Sequence, residues 1–259
     1  MTSTVILFVT LAALIVLNVP IAIALGLSSA FTLLTAGFPI TSIPSILQST
    51  VEKFTLLTIP LFVLAGTAMD EGGISKRLIN VAKMFIGSVY GGLGYVMIVV
   101  ALFFAAISGS GTATVAAVGS ILIPAMISEG YDKSFSGALS AISGSLGTII
   151  PPSISFVVYG MITGLSIGDL FISGFIPGIL YALALCVIVF YYSRKYKWRG
   201  SLTKYTKKEK LKALGDAFWG ILSPVIVLGG IYGGIFTATE AAAVASVYSI
   251  IVGMFIYKD

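Results

Sequence analysis

Apolar residues dominate this chain in long unbroken blocks, and the charged residues between them are gathered at a few points. No charged side chain occurs over residues 4–36, 84–128, 134–168 or 170–193, and residues 217–257 carry one, Glu240. A helix needs about 20 apolar residues to cross the hydrocarbon core of a bilayer. Residues 170–193 fit one crossing, whereas 84–128 would make roughly 67 Å of helix, too long for one and enough for two. Ten-residue strands of alternating polarity are missing, which disfavours a membrane barrel. The expectation is an all-α, polytopic membrane protein.

Within the blocks, breaks are marked by residue type. Pro20 after Asn18 and Val19 divides 4–36 into two helices, because a proline lacks the N–H and clashes with the preceding turn. Residues 54–69 read as a short span with Pro60 inside it, and 42–53 as a less apolar arm lying along the interface. Residues 84–128 hold Ser108-Gly109-Ser110-Gly111-Thr112 near their centre. Two full crossings fit the length as well, but the small polar centre favours a re-entrant hairpin over 95–128. The segment 134–165 contains Gly147-Thr148-Ile149-Ile150-Pro151-Pro152-Ser153-Ile154-Ser155, and two successive prolines break its helix. The pentapeptide Ala106-Ile107-Ser108-Gly109-Ser110 recurs as Ala141-Ile142-Ser143-Gly144-Ser145, so both interruptions are built from matching material.

Overall composition agrees: 58% of residues are hydrophobic and 10% charged, against about 25% charged in soluble domains. The net charge of +5 is concentrated, with nine of the fifteen Lys and Arg lying between Arg194 and Lys212. A nucleic-acid patch is one reading of such a cluster. In a bilayer protein the positive-inside rule is the stronger one, so 194–212 is expected in the cytoplasm as a surface helix or strap. Counting spans outward, a hairpin also places Lys76, Arg77 and Lys83 on that side and the N-terminus outside. Residues 6–17 lack a basic flank and a cleavage site and read as a retained span rather than a signal peptide. With no histidine and one cysteine, Cys186, neither a disulfide framework nor a His or Cys metal site is expected from this chain.

Small residues pack membrane helices closely, which accounts for Gly119, Gly137 and Gly144. A run of Ser-Gly-Ser-Gly-Thr exceeds one packing seam. Irregular backbone at membrane depth is tolerated where it lines a cavity, and broken helices of this kind hold the ligand in secondary transporters. Free carbonyls at 147–150 and the hydroxyls of Ser108 and Ser110 suit a hard cation such as sodium. A helix starting after each break attracts an anion, and Ser153 and Ser155 begin the second one. Glu240 follows Thr237 and Thr239 and reads as a carboxylate at a helix start, a structural role preferred over the alternative of a proton relay. The order apolar helix, break, small-residue helix over 217–257 echoes the N-terminus in opposite orientation, as inverted repeats would. No nucleophile–base pair, P-loop or paired intramembrane aspartate is present, so neither an enzyme nor ATP-driven transport is expected. Coupling would come from an ion gradient.

Three motifs carry a resemblance. Residues 103–160, with Phe104-Ala105-Ala106-Ile107-Ser108-Gly109-Ser110, Ile121-Leu122-Ile123-Pro124-Ala125-Met126, Gly130-Tyr131-Asp132 and Ile149-Ile150-Pro151-Pro152-Ser153-Ile154, closely resemble the large membrane subunit of tripartite ATP-independent periplasmic (TRAP) transporters. Ile59-Pro60-Leu61-Phe62-Val63-Leu64-Ala65-Gly66 is similar to a second signature. Phe236-Thr237-Ala238-Thr239-Glu240 is similar to a third, with Ala238 where proline is usual. The resemblance implies a sodium-coupled elevator in the bacterial inner membrane importing carboxylate solutes. Its partners would be a small four-helix membrane subunit and a periplasmic binding protein, with no other cofactor. It implies scaffold helices and an arm over 1–83, half of a transport domain over 84–168, a scaffold helix and basic loop over 169–216, and the start of a second repeat over 217–259. Ser108, Gly111, Gly147, Ile150 and Pro152 would surround sodium, and Ser110, Ser153 and Ser155 would face the solute. Family members continue through a second hairpin and broken helix, so the C-terminal half of the large subunit is an implied partner. Half of a divalent-anion/sodium symporter, or a structural assembly subunit, are the alternatives.

Overall fold

The computed structural model describes residues 2–39, 41–198, 200 and 205–257. Among these there are helices and turns but no strand. Six apolar segments are long enough to cross a membrane: Phe54–Glu71, Gly111–Ser128, Lys133–Thr163, Ile167–Tyr196, Lys207–Tyr232 and Ala238–Tyr257. The chain falls into two compact units, residues 1–53 and 54–259.

In the first unit, helix α1 (Thr2–Val16) and helix α2 (Ile21–Thr35) are separated by the turn at Asn18. Asn18 adopts φ 60°, one of the rare left-handed non-glycine positions. Its N–H donates to the carbonyl of Ile15 at 2.9 Å, and that of Val19 to Leu14 at 3.1 Å. This paired closure satisfies the last carbonyls of α1, and Pro20 then opens α2. Thr10 and Leu14 share an apolar groove with Leu27, Phe31 and Leu34, so the two helices fold back on one another. Helix α3 (Ser42–Val51) buries none of its residues within the structure.

The second unit is built around helix α6 (Gly92–Ser108). Val96, Met97, Ile98, Val100 and Phe104 lie at its buried face with Leu122, Met126, Leu139, Leu185 and Val189 from later helices. It is flanked by helix α4 (Thr58–Glu71), which follows a 3-10 turn over Phe54–Leu57, and by the amphipathic helix α5 (Ile74–Ile86). Pro60 sits in the first turn of α4, where its missing N–H costs little, and does not interrupt the span. The uncharged block from position 84 begins inside α5, and the helix–turn–helix element starts at Gly92 rather than at 95. Helix α7 (Gly111–Ser128) completes that element. Then follow α8 (Lys133–Gly144), the short α9 (Leu146–Ile149), α10 (Ile154–Thr163) and α11 (Ile167–Tyr196).

Helix α12 (Lys207–Tyr232) begins among the basic residues and runs on through position 217 into apolar sequence. The 194–212 segment is therefore split between the end of α11 and the start of α12; residues 199 and 201–204 of it lie outside the described ones. At this end Trp198 stacks on Tyr131 at 4.6 Å between ring centroids and accepts from the N–H of Gly91 at 3.0 Å. Burial against that cluster pushes the Tyr131 phenol up to about 12.

Helix α13 (Ala238–Ile251), followed by a π-helical turn over Val252–Tyr257, runs parallel to α4. Thr58 and Thr239 share a buried hydroxyl–hydroxyl bond of 2.6 Å near the start of both, Ser246 donates to the carbonyl of Leu61, and Gly72 meets Gly253 at the far end. Thr58→Val leaves the Thr239 hydroxyl buried without its partner. The variant is expected to lose about 1–3 kcal/mol, with much of that recovered in Thr58→Val/Thr239→Val. Thermal unfolding of both proteins in detergent reads the difference.

Candidate functional site

Two interrupted helices meet in the second unit. The first interruption needs glycine. Gly109 closes α6 with φ 61°, and its N–H donates to Ala105 at 3.0 Å. A Cβ there would stand 2.5 Å from the carbonyl oxygen of Pro152. Ser110, in extended conformation, caps α7 by accepting from the N–H of Ala113 at 3.4 Å, and its carbonyl accepts from Thr114 Oγ1 at 2.8 Å.

The second interruption has extended residues at its two ends, Ile150 (ψ 128°) and Ser153 (ψ 126°), with the chain bent at Pro151 and Pro152 between them, where the prolines cannot supply helical hydrogen bonds. Its edges are tied internally. Ile150 N–H donates to Leu146 at 2.7 Å, and Ser153 Oγ donates to the Thr148 carbonyl at 2.7 Å. That second bond corrects the expectation of free carbonyls throughout 147–150: Thr148 is already satisfied.

A backbone hydrogen bond joins the two breaks, from the N–H of Ile154 to the carbonyl of Gly109 at 3.1 Å. Around it the chains cross at glycines. A Cβ on Gly147 would meet the Ser110 carbonyl carbon at 2.7 Å and the Gly111 nitrogen at 2.8 Å, and one on Gly111 would meet the Gly144 oxygen at 2.8 Å. Beside this crossing lies an open cleft of about 630 Å³ lined by Gly109, Ser110, Gly111, Thr112, Val115, Ala116, Ala141, Gly144, Ser145, Thr148, Ile154 and Ser155.

The sequence-predicted residues distribute unevenly. Ser110, Gly111 and Ser155 line the cleft, and Gly147 is buried beneath it against Ser110. Pro152 is buried with its carbonyl beside Gly109. Ser108 is buried on the α4 side, where Gly66 packs against its Cβ, and its hydroxyl accepts from the Ser110 N–H at 3.3 Å. Ile150 is buried and points its side chain at Gly178 of α11. Ser153, expected to face a solute, is instead fully buried with its hydroxyl engaged in holding the break. Its position directly after the prolines forces this: that hydroxyl is the donor available to the carbonyl stranded one turn earlier.

Thr237 and Glu240 do not reach the cleft. They form a reciprocal cap at the start of α13, with Glu240 Oε2 accepting from the Thr237 N–H at 2.8 Å and the Glu240 N–H donating to Thr237 Oγ1 at 3.3 Å. Reasoning from sequence placed Thr112 and Thr148 in the two interruptions without giving their side chains a role, and missed Ser145 as a cleft residue. The repeated pentapeptide was the available signal, because its equivalent pairs Gly109/Gly144 and Ser110/Ser145 all line the one cleft. Ser145 is further oriented by a 2.8 Å hydroxyl contact with Tyr181 of α11.

The cleft walls carry no charged side chain. Their polarity comes from hydroxyls and from the first turns of α7 and α10, both of which open onto the cleft through Gly111, Thr112, Ile154 and Ser155. First-turn N–H groups lack intrahelical partners; those of Ala113 and Ile154 are taken up by Ser110 Oγ and the Gly109 carbonyl, and the others, with the partial positive charge of each helix start, favour an anion.

Six apolar spans, with two helix breaks meeting at an uncharged cleft, define a polytopic α-helical membrane protein. The chain belongs to the family described as tripartite ATP-independent periplasmic transporter, DctM component, which matches residues 8–259. It is 46% identical to the isethionate TRAP transporter permease protein DctMQ of Oleidesulfovibrio alaskensis, over 98% of this chain and 40% of that protein. It is also 46% identical to the C4-dicarboxylate TRAP transporter large permease protein DctM of Vibrio cholerae, over 98% of this chain and 56% of the relative. The sialic acid TRAP transporter large permease protein SiaM of the same organism is 40% identical over 88% of this chain and 53% of its own length. The chain thus spans about half the length of the curated relatives it matches.

Proposed function

We propose that this chain forms part of the large membrane subunit of a sodium-coupled importer of organic anions, carboxylates above all, in a bacterial inner membrane. Its partners are a small four-helix membrane subunit, a periplasmic solute-binding protein and the remainder of the large subunit. The observation that carries this reading is the convergence of the α7 and α10 N-termini on one cleft without a charged side chain in its walls. An anion is held there by N–H groups and by the hydroxyls of Ser110, Thr112 and Ser155, while Ser145 and Thr148 donate their own protons to the carbonyls of Ile142 and Ser145 and shape the wall. Sodium, a hard cation that takes oxygen ligands, suits the other polarity of the same breaks. The backbone oxygens of Ser110 and Gly144, which stand at the Gly111–Gly147 crossing, supply ligands, and the carbonyls of Ile150 and Pro152 are assigned to the same cation. Ser108 acts indirectly by fixing the Ser110 backbone. Binding the two charges next to each other lowers the cost of carrying either across, and the interrupted pair moves as one body in an elevator step. The basic end of α12 faces the cytoplasm.

The test is uptake by the complete complex in proteoliposomes, with C4-dicarboxylate, sialic acid and isethionate as candidate solutes. Concentrative uptake is expected with an inward sodium gradient and solute-loaded binding protein, and to vanish when potassium replaces sodium. Ser110→Ala is expected to raise the half-saturating solute concentration about 10- to 100-fold, the worth of one hydrogen bond to a charged group. Undiminished uptake in potassium would overturn sodium coupling, and an unchanged Ser110→Ala profile would remove the solute from this cleft.

A further inference from the structure

A second polar groove, of about 540 Å³, lies away from the cleft between α5, α12 and the π-helical turn. Its walls include Arg77, Asn80, Lys212, Asp216, Trp219 and Tyr257. We infer that this groove is a binding site for the phosphate headgroup of an anionic phospholipid, built by Arg77 and Lys212.

The position of the groove along α12 sets its depth in the bilayer. Basic residues Lys207, Lys208, Lys210 and Lys212 occupy the first turns of the helix, Trp219 follows two turns later, and the rest to Tyr232 is uncharged. Tryptophan settles at the membrane–water boundary. Lys212 stands about 10 Å further along the axis toward the charged end, at headgroup level. The groove therefore opens where lipid phosphates lie.

Arg77 is held for this task before any ligand arrives. Its Nη1 donates to the carbonyls of Gly73 at 3.0 Å and Gly72 at 3.3 Å, and its guanidinium lies 3.8 Å from the centre of the Tyr257 ring. Tyr257 is fixed in turn, its hydroxyl donating to the Asp216 carbonyl at 2.7 Å. A planar guanidinium immobilised against an aromatic face suits a phosphate better than a mobile ammonium does. Lys212 supplies a point charge from the opposite helix. The same helix pair carries another cation outside the groove, Lys210, whose Nζ lies 5.3 Å above the Phe85 ring. Asp216, on the Trp219 side, opposes the cations and limits the net attraction.

The experiment uses the complete large subunit in its complex, purified in detergent and incubated with equal amounts of phosphatidylglycerol and phosphatidylcholine; retained lipid is counted by native mass spectrometry. Wild type is expected to retain phosphatidylglycerol preferentially. At roughly 1 kcal/mol for each basic residue near a charged surface, Lys212→Gln lowers that preference about fivefold and Arg77→Gln/Lys212→Gln about thirtyfold. Arg77 also caps a turn, so the exposed Asp216→Asn serves as the complementary variant, with retention expected to rise. Equal retention of the two lipids by wild type, or no change in either Lys212→Gln or Asp216→Asn, overturns the site. Displacement of the lipid by millimolar inorganic phosphate overturns the lipid assignment in favour of a soluble phosphate.

Discussion

Gly109→Ala is expected to destabilise the protein by about 2–5 kcal/mol and to abolish transport by the complex. A non-glycine residue at φ 61° meets its own following carbonyl, which costs about 1–2 kcal/mol. The new methyl would also stand 2.5 Å from the Pro152 oxygen, and overpacking of that kind costs about 1–3 kcal/mol. The obstacle is backbone, so no side chain can swing aside to relieve it. Moving Pro152 away would strain the Ile154-to-Gly109 hydrogen bond that joins the two breaks. Thermal unfolding in detergent reads the first effect and solute uptake the second. A Gly109→Ala protein with wild-type stability and uptake would show that the two interruptions do not need this contact. Gly137→Ala is the control, because a Cβ there meets nothing within 4 Å.

Phe62→Ala is expected to cost about 2–4 kcal/mol, without altering solute affinity. Phe62 is fully buried between α4 and α13, among Ala65, Ala241, Ala242, Ala245 and Val227. In water such a truncation costs about 3–5 kcal/mol. In a bilayer the transfer part shrinks, since lipid chains are as apolar as the core, and lost packing dominates. Alanine neighbours cannot reach into the space, which keeps the cavity open. Phe62→Leu should recover more than half of the loss. Chemical unfolding of the three proteins in one detergent measures the ranking, and a loss below 1 kcal/mol for the alanine variant would mean the seam repacks.

The all-helical, membrane-spanning character was legible because uncharged sequence of that length has few other uses. Glycine and proline mark the interruptions themselves: α6 ends at Ser108 and α7 starts at Gly111, while no helix covers the residues from Ile150 to Ser153. What lies between the interruptions was not legible. The Ile154–Gly109 bond joins residues far apart in sequence, and no local preference announces a partner at that distance. Ser153 misled for a related reason, since whether a serine after a break faces a cavity or the preceding turn depends on the backbone path. Ser145 looked like an ordinary small residue of a span until α7 was laid across it. Boundaries shifted where charge was the guide: Lys83 read as a span end, yet α5 carries on to Ile86.

The walls of the large cleft contain no group that gains or loses a proton near neutral pH. On the proposed assignment of a solute to this cleft, an acidity profile of its occupancy follows the visitor rather than the host. A weak acid would be admitted according to how much of it is ionised, and a permanently ionised guest would enter equally well from mildly acidic to mildly alkaline media.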